Sequence, residues 1–271
     1  MKVIQKINTV CRLAKEKDGF HQILSLLRSK YGLPLPQSTR SKWKGGVKSE
    51  LSYWDNFFHI KGYEWRDTYH DRLDPDAPLQ PRPAALLPET VECVSILDVG
   101  AGPLSYLGKK CEGRSIVITA VDPLADHYNE MLAKHDIEPP VRTQPAAAEE
   151  LRKQFPENTF DLVFARNCID HSYDPEKAIL QMVEVAKPGS YVLLEHTPDE
   201  AERQNYDALH QWNFSISAKG DFLIRSKCQA LNFTEKYADI CDTTCEIVDD
   251  GGHGEWLITR IRRKGTSNFL G

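Results

Sequence analysis

The 271-residue sequence has no marked excess of either charge: 34 basic residues stand against 39 acidic ones, a net charge of −5. A chain so balanced lacks the basic surface with which proteins hold nucleic-acid phosphates, and no nucleic-acid partner is expected. It has no window of about eighteen apolar residues, which excludes a membrane-spanning helix. The start, Met1-Lys2-Val3-Ile4-Gln5-Lys6, has no continuous apolar core and no small-residue cleavage site. A secretory signal is therefore not expected, and a cytoplasmic location is. The seven cysteines (Cys11, Cys93, Cys111, Cys168, Cys228, Cys241 and Cys245) include no Cys-x-x-Cys pair. Cys241 and Cys245 have no neighbouring histidine pair to complete a zinc set, so the reading is reduced thiols. Internal repeats and low-complexity tracts are absent too. What is present is an ordinary apolar content, 41% of residues, enough for a core of normal size. The length suits one large domain or one domain with an extension.

The chain is organised around Ser95-Ile96-Leu97-Asp98-Val99-Gly100-Ala101-Gly102-Pro103-Leu104-Ser105. A short apolar run with β-branched residues reads as a buried parallel strand. Gly100 and Gly102 allow a sharp turn and a close ligand approach. A helix over Leu104 to Lys110 would then aim free N–H groups at that ligand. The dinucleotide fingerprint wants a third glycine three residues after the second, and Ser105 stands there. A second apolar run, Ser115 to Val121, ends in Asp122, twenty residues beyond Gly102. A carboxylate so placed can take both hydroxyls of a ribose.

These residues resemble the first two motifs of the class I S-adenosylmethionine (SAM)-dependent methyltransferases. The rest of the core strengthens the resemblance. A helix from Ala125 to His135 and a short strand Val141 to Gln144 lead to Ala146-Ala147-Ala148-Glu149-Glu150-Leu151. A strand Phe160 to Ala165 is followed by Arg166-Asn167-Cys168-Ile169-Asp170-His171. A helix from Asp174-Pro175 to Ala186 and a Lys187-Pro188-Gly189 turn then enter a strand Tyr191 to His196. The acid Asp161, the polar stretch Asn167 to His171 and the Lys-Pro-Gly turn recur in this order in that family. The resemblance covers residues 94–196. It departs at Ala147, where the family often has an acid for the adenine amino group.

The remaining segments are read more coarsely. Residues 3–14 and 20–31 have helical apolar spacing and read as two amphipathic helices, a possible homodimer contact. The stretch Arg28 to Lys48 carries six basic residues and no acid and reads as an exposed linker. Residues 50–75 mix aromatics with Asp55, Glu64, Arg66 and Asp67 and read as a lid. Pro75 to Pro88, with five prolines, connects to the core. Thr197 to His210 reads as an acid-rich helical stretch, Asp221 to Ile224 as a short strand and Phe233 to Ile240 as a helix. Cys245 to Val248 and Glu255 to Ile261 read as a closing antiparallel hairpin. The expected fold is α/β: a doubly wound, seven-stranded, mostly parallel sheet. The expected domains are a helical extension or lid at 1–88 and a SAM-binding domain at 89–271.

The resemblance implies SAM as cofactor and assigns its contacts. Gly100, Ala101 and Gly102 border the methionine and ribose, and Asp98 supports the turn and the amino group. Asp122 holds the ribose, with Pro123 and Leu124 beside the adenine. Ala148 and Glu149 stand in for the missing adenine acid, and Arg166 and Asn167 flank the methionine portion. Methyl transfer to a hydroxyl needs alignment and a proton acceptor. The candidates, in order, are His210, His196 and His171. Trp54, Trp65, Glu195 and Trp212 are candidate acceptor contacts, and Asp170, His171, Glu195, His196 and His210 together could hold a divalent ion. No spacing among them is diagnostic, and no metal site is assigned. The extension and aromatic lid look like those of small-molecule methyltransferases of natural-product or surface-glycan pathways, so a small hydroxylated acceptor is expected. A non-catalytic nucleotide-binding or scaffold protein on the same fold, or a nicotinamide-binding protein, is the alternative.

Overall fold

The structure, a computed structural model, describes residues 39–63, 66–249 and 254–265. The chain divides into two compact units, Met1–Ser41 and Lys42–Gly271. The segments 3–14 and 20–31, the dimer contact expected there, and Trp65 lie outside the described residues. The described helices are α1 (Thr39–His59), α2 (Arg66–Leu73), α3 (Pro81–Ala84), α4 (Ala125–Lys134), α5 (Pro175–Val185), α6 (Glu200–Arg203) and α7 (Phe233–Lys236). The strands are β1 (Cys93–Val99), β2 (Ser115–Asp122), β3 (Gln144–Pro145), β4 (Phe160–Arg166), β5 (Ala186–His196), β6 (Asn213–Ile216), β7 (Phe222–Arg225), β8 (Ala230–Asn232), β9 (Cys241–Asp249) and β10 (Glu255–Arg263). No described helix is long and apolar enough to cross a membrane.

Seven strands form one sheet in the order β3-β2-β1-β4-β5-β10-β9. β1 pairs in parallel with both β2 and β4, and β10 runs antiparallel between β5 and β9. This is the doubly wound, seven-stranded, mostly parallel sheet expected from the sequence. The order reverses between β1 and β4, so the crevice at their carboxyl ends is where such a sheet receives a ligand. Side chains of β1 alternate between two cores, as the strand period requires. Leu97 and Val99 pack with Ala178, Ile179 and Met182 of α5. Val94 and Ile96 pack with Leu79, Leu87 and Leu107. Both faces are buried, which is why these strands read as continuous apolar runs. α5 starts as its sequence promised: Pro175 opens it and the Asp174 side chain accepts the Lys177 N–H at 3.0 Å.

Five local expectations change. No helix forms over Leu104 to Lys110, because that segment's polar groups are engaged from residues 72–80. Arg72 donates to the Leu104 carbonyl. Gln80 donates to the Tyr106 carbonyl (2.6 Å) and accepts from Gly108 N (2.9 Å), and Lys109 N reaches the Ala77 carbonyl at 2.7 Å. A side chain on Gly108 would collide with the Pro78 carbonyl. The basic stretch read as a linker is helical from Thr39, with Gly45 and Gly46 inside α1. β3 is only two residues long, since Thr143 turns its hydroxyl to the Gly102 carbonyl (2.7 Å). The acid-rich stretch is helical only over α6, because Asn205, Tyr206 and Ala208 adopt φ of 54°, 58° and 47°. The stretch 213–232 forms a second, three-stranded antiparallel sheet, in which Phe214 meets Phe222 edge to face, and Phe222 in turn meets Phe233 of α7.

Candidate active site

Gly100 (φ +66°) and Gly102 (φ +63°) make the turn at the end of β1. Both positions are left-handed, where a side chain is strained. The backbone N–H groups of Gly100 and Ala101 bond the Val121 carbonyl at 2.8 and 3.1 Å. Asp122, ending β2, accepts Gly102 N at 3.2 Å and Leu124 N at 2.8 Å. Asp98 accepts the Ser105 hydroxyl at 2.6 Å. Ser105, in place of the third glycine of a dinucleotide turn, thus ties the loop to the strand. Both acids are buried, and neither has a salt bridge among the described residues. Burial lifts the Asp122 carboxyl to about 7, opposed by its two N–H donors and aided by nearby Glu50 and Asp98. Burial likewise lifts Asp98 to about 6, opposed by Ser105 and Arg72.

α1 covers this turn. Gly46, Glu50 and Trp54 sit four residues apart, on one helical face. A Cβ on Gly102 would lie 2.9 Å from the Trp54 ring, and Trp54 Nε1 donates to Glu50 at 2.9 Å. At the other end, a Cβ on Gly46 would lie 2.8 Å from the Ala208 backbone and 2.6 Å from Leu209. Glu50, between them, acts electrostatically on both Asp122 and His210. One face of α1, about 12 Å long over eight residues, therefore spans from the glycine turn to the segment that carries His210.

A second cluster lies at the carboxyl ends of β4 and β5. Asp170 and His171 stand in a 3₁₀ turn (Ile169–His171), Glu200 opens α6, and His210 precedes β6. His171 Nε2 and His210 Nδ1 are 3.0 Å apart. Asp170 faces three imidazoles at 3.5 Å (His171), 3.7 Å (His196) and 3.9 Å (His210), and His210 also lies 3.9 Å from Glu200. Burial would raise the Asp170 carboxyl, but these rings outweigh it and hold the group well below the usual carboxylate range. Burial and Asp170 push Glu200 up. Burial would lower His210, but Asp170 and Glu200 raise it. His196 is 1% exposed, accepts the Ile169 N–H at 3.2 Å, and is pulled down to about 4 by burial.

A layered stack of rings and guanidinium groups joins the two clusters. Arg72 lies 5.6 Å from the Trp54 ring and 5.3 Å from Tyr106; Arg166 lies 4.3 Å from Tyr106 and 3.8 Å from Trp256. Arg166 also bonds Glu195, which is buried and has Arg82 at 3.6 Å from its other oxygen. Arg72 Nε is buried without a hydrogen-bond partner, so this guanidinium has a free donor for an anionic group.

The structure thus brings Asp98, Gly100, Ala101, Gly102, Asp122 and Trp54 together, and His171, His196 and His210 together with Asp170. Pro123 is exposed beside the turn, and Leu124 is buried. Ala148 lies in the core, and Glu149 is engaged by Tyr173 N (2.9 Å) and Asp174 N (3.3 Å). Asn167 accepts Thr197 N at 3.1 Å. Trp212 is core, with Nε1 donating to the Ser172 carbonyl at 3.0 Å. Sequence reasoning passed over Glu50, Arg72, Tyr106, Glu200 and Trp256. The one available signal was the helical spacing of Gly46, Glu50 and Trp54.

Residues 97–194 match a family model described as a methyltransferase domain. Among curated proteins, phosphoethanolamine N-methyltransferase 2 of Caenorhabditis elegans is 28% identical over 100 residues, 37% of this chain and 23% of that protein. An uncharacterized methyltransferase of Schizosaccharomyces pombe is 31% identical over 104 residues, 36% of this chain and 37% of that protein. The chain thus matches well under half the length of these curated relatives. Among solved structures, the complex between the Haloferax volcanii Trm112 methyltransferase activator and a methyltransferase contains a chain of like fold. Its TM-score is 0.52 at 12% identity, covering 81% of this chain and 98% of that one.

Proposed function

We propose that this chain, whose residues 97–194 match a methyltransferase-domain model, is a class I SAM-dependent methyltransferase that O-methylates a small hydroxylated acceptor such as a sugar or natural product. The observation that carries this reading is the single face of α1. It adjoins the glycine turn through Trp54 and the histidine–carboxylate segment through Gly46. Cofactor end and proton-accepting end thus share one cover. The residues fit SAM: Asp98 and Asp122 are buried carboxylates without cationic partners in contact, and Arg72 keeps an unpartnered buried Nε. Asp122 would hold the ribose hydroxyls and Arg72 the methionine carboxylate, with Gly100, Ala101 and Gly102 giving close backbone approach. When bound, the cofactor supplies an activated sulfonium methyl. The chain's own part is to align the acceptor, exclude water under α1, and accept the hydroxyl proton at the cluster of Asp170, His171, Glu200 and His210. His210, the most open of the three histidines, ranks first as acceptor, then His171; His196, expected second, is 1% exposed and its Nε2 already accepts the Ile169 N–H. Residues 50–75, within an extension reaching to residue 88, serve as the lid.

The test is transfer of a labelled methyl from SAM to a panel of sugars, phenols, other hydroxylated small molecules and amines, with products located by mass spectrometry. Label on oxygen is the expected result. Label on nitrogen alone overturns the O-methylation reading, and no transfer to any acceptor, despite bound SAM, favours a binding protein on the same fold.

A further inference from the structure

The cluster beneath His210 has a property that proton transfer does not require. Asp170 is 2% exposed, yet neither of its carboxylate oxygens has a hydrogen-bond partner. Glu200, 8% exposed, has one such orphaned oxygen as well. Two carboxylates taken out of water side by side, each short of partners, are costly. The ion pairs of Asp170 are with His171, His196 and His210, all at 3.5 Å or more, and that of Glu200 is with His210 at 3.9 Å. These spacings are longer than ordinary hydrogen bonds.

We propose that Asp170, His171, Glu200 and His210 bind one divalent transition-metal ion, with zinc best matched to the donors. One donor atom from each residue lies within 4.8 Å of all the others. The Nε2 of His171 and the Nδ1 of His210 are 3.0 Å apart, and the neighbouring nitrogen–oxygen spacings are 3.5, 3.9 and 3.9 Å. Four ligands on a tetrahedron about 2.0–2.1 Å from zinc stand roughly 3.3 Å from one another. The observed spacings bracket that edge, so small side-chain rotations close the site. Two imidazoles and two carboxylates suit zinc, whereas magnesium and calcium favour oxygen alone. The charges also balance: two carboxylates neutralise one divalent ion, and both neutral imidazoles donate lone pairs. A second layer holds the first. His196 accepts the Ile169 N–H at 3.2 Å, and Trp212 bonds the Ser172 carbonyl at 3.0 Å, bracketing the turn that carries Asp170 and His171.

This inference goes beyond the methyl-transfer reading and does not depend on it. With an ion in place, the His171 and His210 nitrogens that face the cluster are ligands and no longer proton acceptors there.

The experiment uses the full chain, freed of ions with a chelator. It is titrated with Co²⁺ followed by visible absorption, and with Zn²⁺ followed by calorimetry and thermal melting. One Co²⁺ per chain with four-coordinate absorption bands, displaced by Zn²⁺, is expected, with no response to Mg²⁺. Asp170→Asn and His210→Ala should each weaken Zn²⁺ binding a hundredfold or more. Asp170→Asn removes a charge that the three imidazoles favour, so its metal-free form should melt below the parent, and it should also lose the Zn²⁺-dependent rise. His135→Ala, whose ring pairs with Asp55 outside the cluster, should keep the stoichiometry. Absence of saturable one-to-one binding, or binding equal in the parent and both cluster variants, overturns the proposal. Zinc binding without methyl transfer to any acceptor leaves this site standing and removes the acceptor reading. Methyl transfer by an ion-free protein that binds no zinc does the reverse.

Discussion

Substituting Asp122 by asparagine tests the cofactor end through its pH dependence. The carboxyl is lifted to about 7 by burial, with Glu50 and Asp98 adding negative charge and the Leu124 and Gly102 N–H groups opposing. Tyr128 and Cys168 also sense this charge. Ribose hydroxyls bond the charged form best, so binding must expel the proton that Asp122 carries below pH 7. The sign follows: a group whose pKa is raised in the free protein and lowered by ligand makes affinity fall as pH falls. For a free value of about 7, SAM affinity at pH 6 should be about tenfold weaker than at pH 8, a difference of about 1.4 kcal/mol. Asp122→Asn should cost roughly 1.5–3 kcal/mol of binding at pH 8, about 10- to 150-fold. It should also remove the tenfold pH dependence. Calorimetry at several pH values measures both, in buffers of different ionisation enthalpy to count released protons. The cofactor's own amino group and Asp98 titrate in both proteins and cancel in the ratio of parent to variant. A ratio that stays flat between pH 6 and 8, or affinity that rises in acid, refutes the assignment of Asp122 to the ribose.

Three further outcomes follow from the same geometry. Gly102→Val adds strain at φ +63° and drives Trp54 from 2.9 Å contact; SAM should no longer raise its melting temperature, and a parental shift would put the pocket elsewhere. Arg166→Lys loses the Tyr106 and Trp256 stacking and leaves Glu195 poorly paired, so urea unfolding should show a loss of about 1–3 kcal/mol, and an unchanged midpoint would deny the stack a stabilising role. Gly46→Leu pushes α1 away from Ala208 and Leu209, so proteolysis within 50–75 should speed up, and the slowing caused by SAM product plus acceptor should vanish. Equal cleavage with and without ligands in the parent would make the segment a fixed extension.

The buried strands were legible because both faces of β1 and β4 are apolar, and the glycine turn because Gly100 and Gly102 stand between two strands that end in acids. Asp174-Pro175 announced α5 by its capping chemistry. The loop after Gly102 was not legible, since its partners Arg72, Ala77 and Gln80 lie some 30 residues upstream and no local pattern reports them. Glu200 looked like any other acid in a stretch that also holds Asp199, Glu202 and Asp207; only burial distinguishes it. His196 carried the right residue type at the right strand end, but packing turned its Nε2 toward the Ile169 amide. The basic run, whose second half opens α1, was misjudged because of its glycines, ordinarily breakers; Gly46 is where the helix meets Leu209.

The alternation of Trp54, Arg72, Tyr106, Arg166 and Trp256 has a meaning for how the protein is made. Its rungs come from α1, α2, the loop after β1, β4 and β10, so the last arrives 184 residues after Arg72. At roughly 5–20 residues per second, a ribosome takes about 10–40 s to supply it. Until then Arg166 has no aromatic seat on its outer side, and the stack that steadies Arg72 stays open at one end. The helices that cover the pocket are therefore synthesised well before the strand that completes their support. A nascent chain halted before β10 should display α1 to proteases that the finished protein resists.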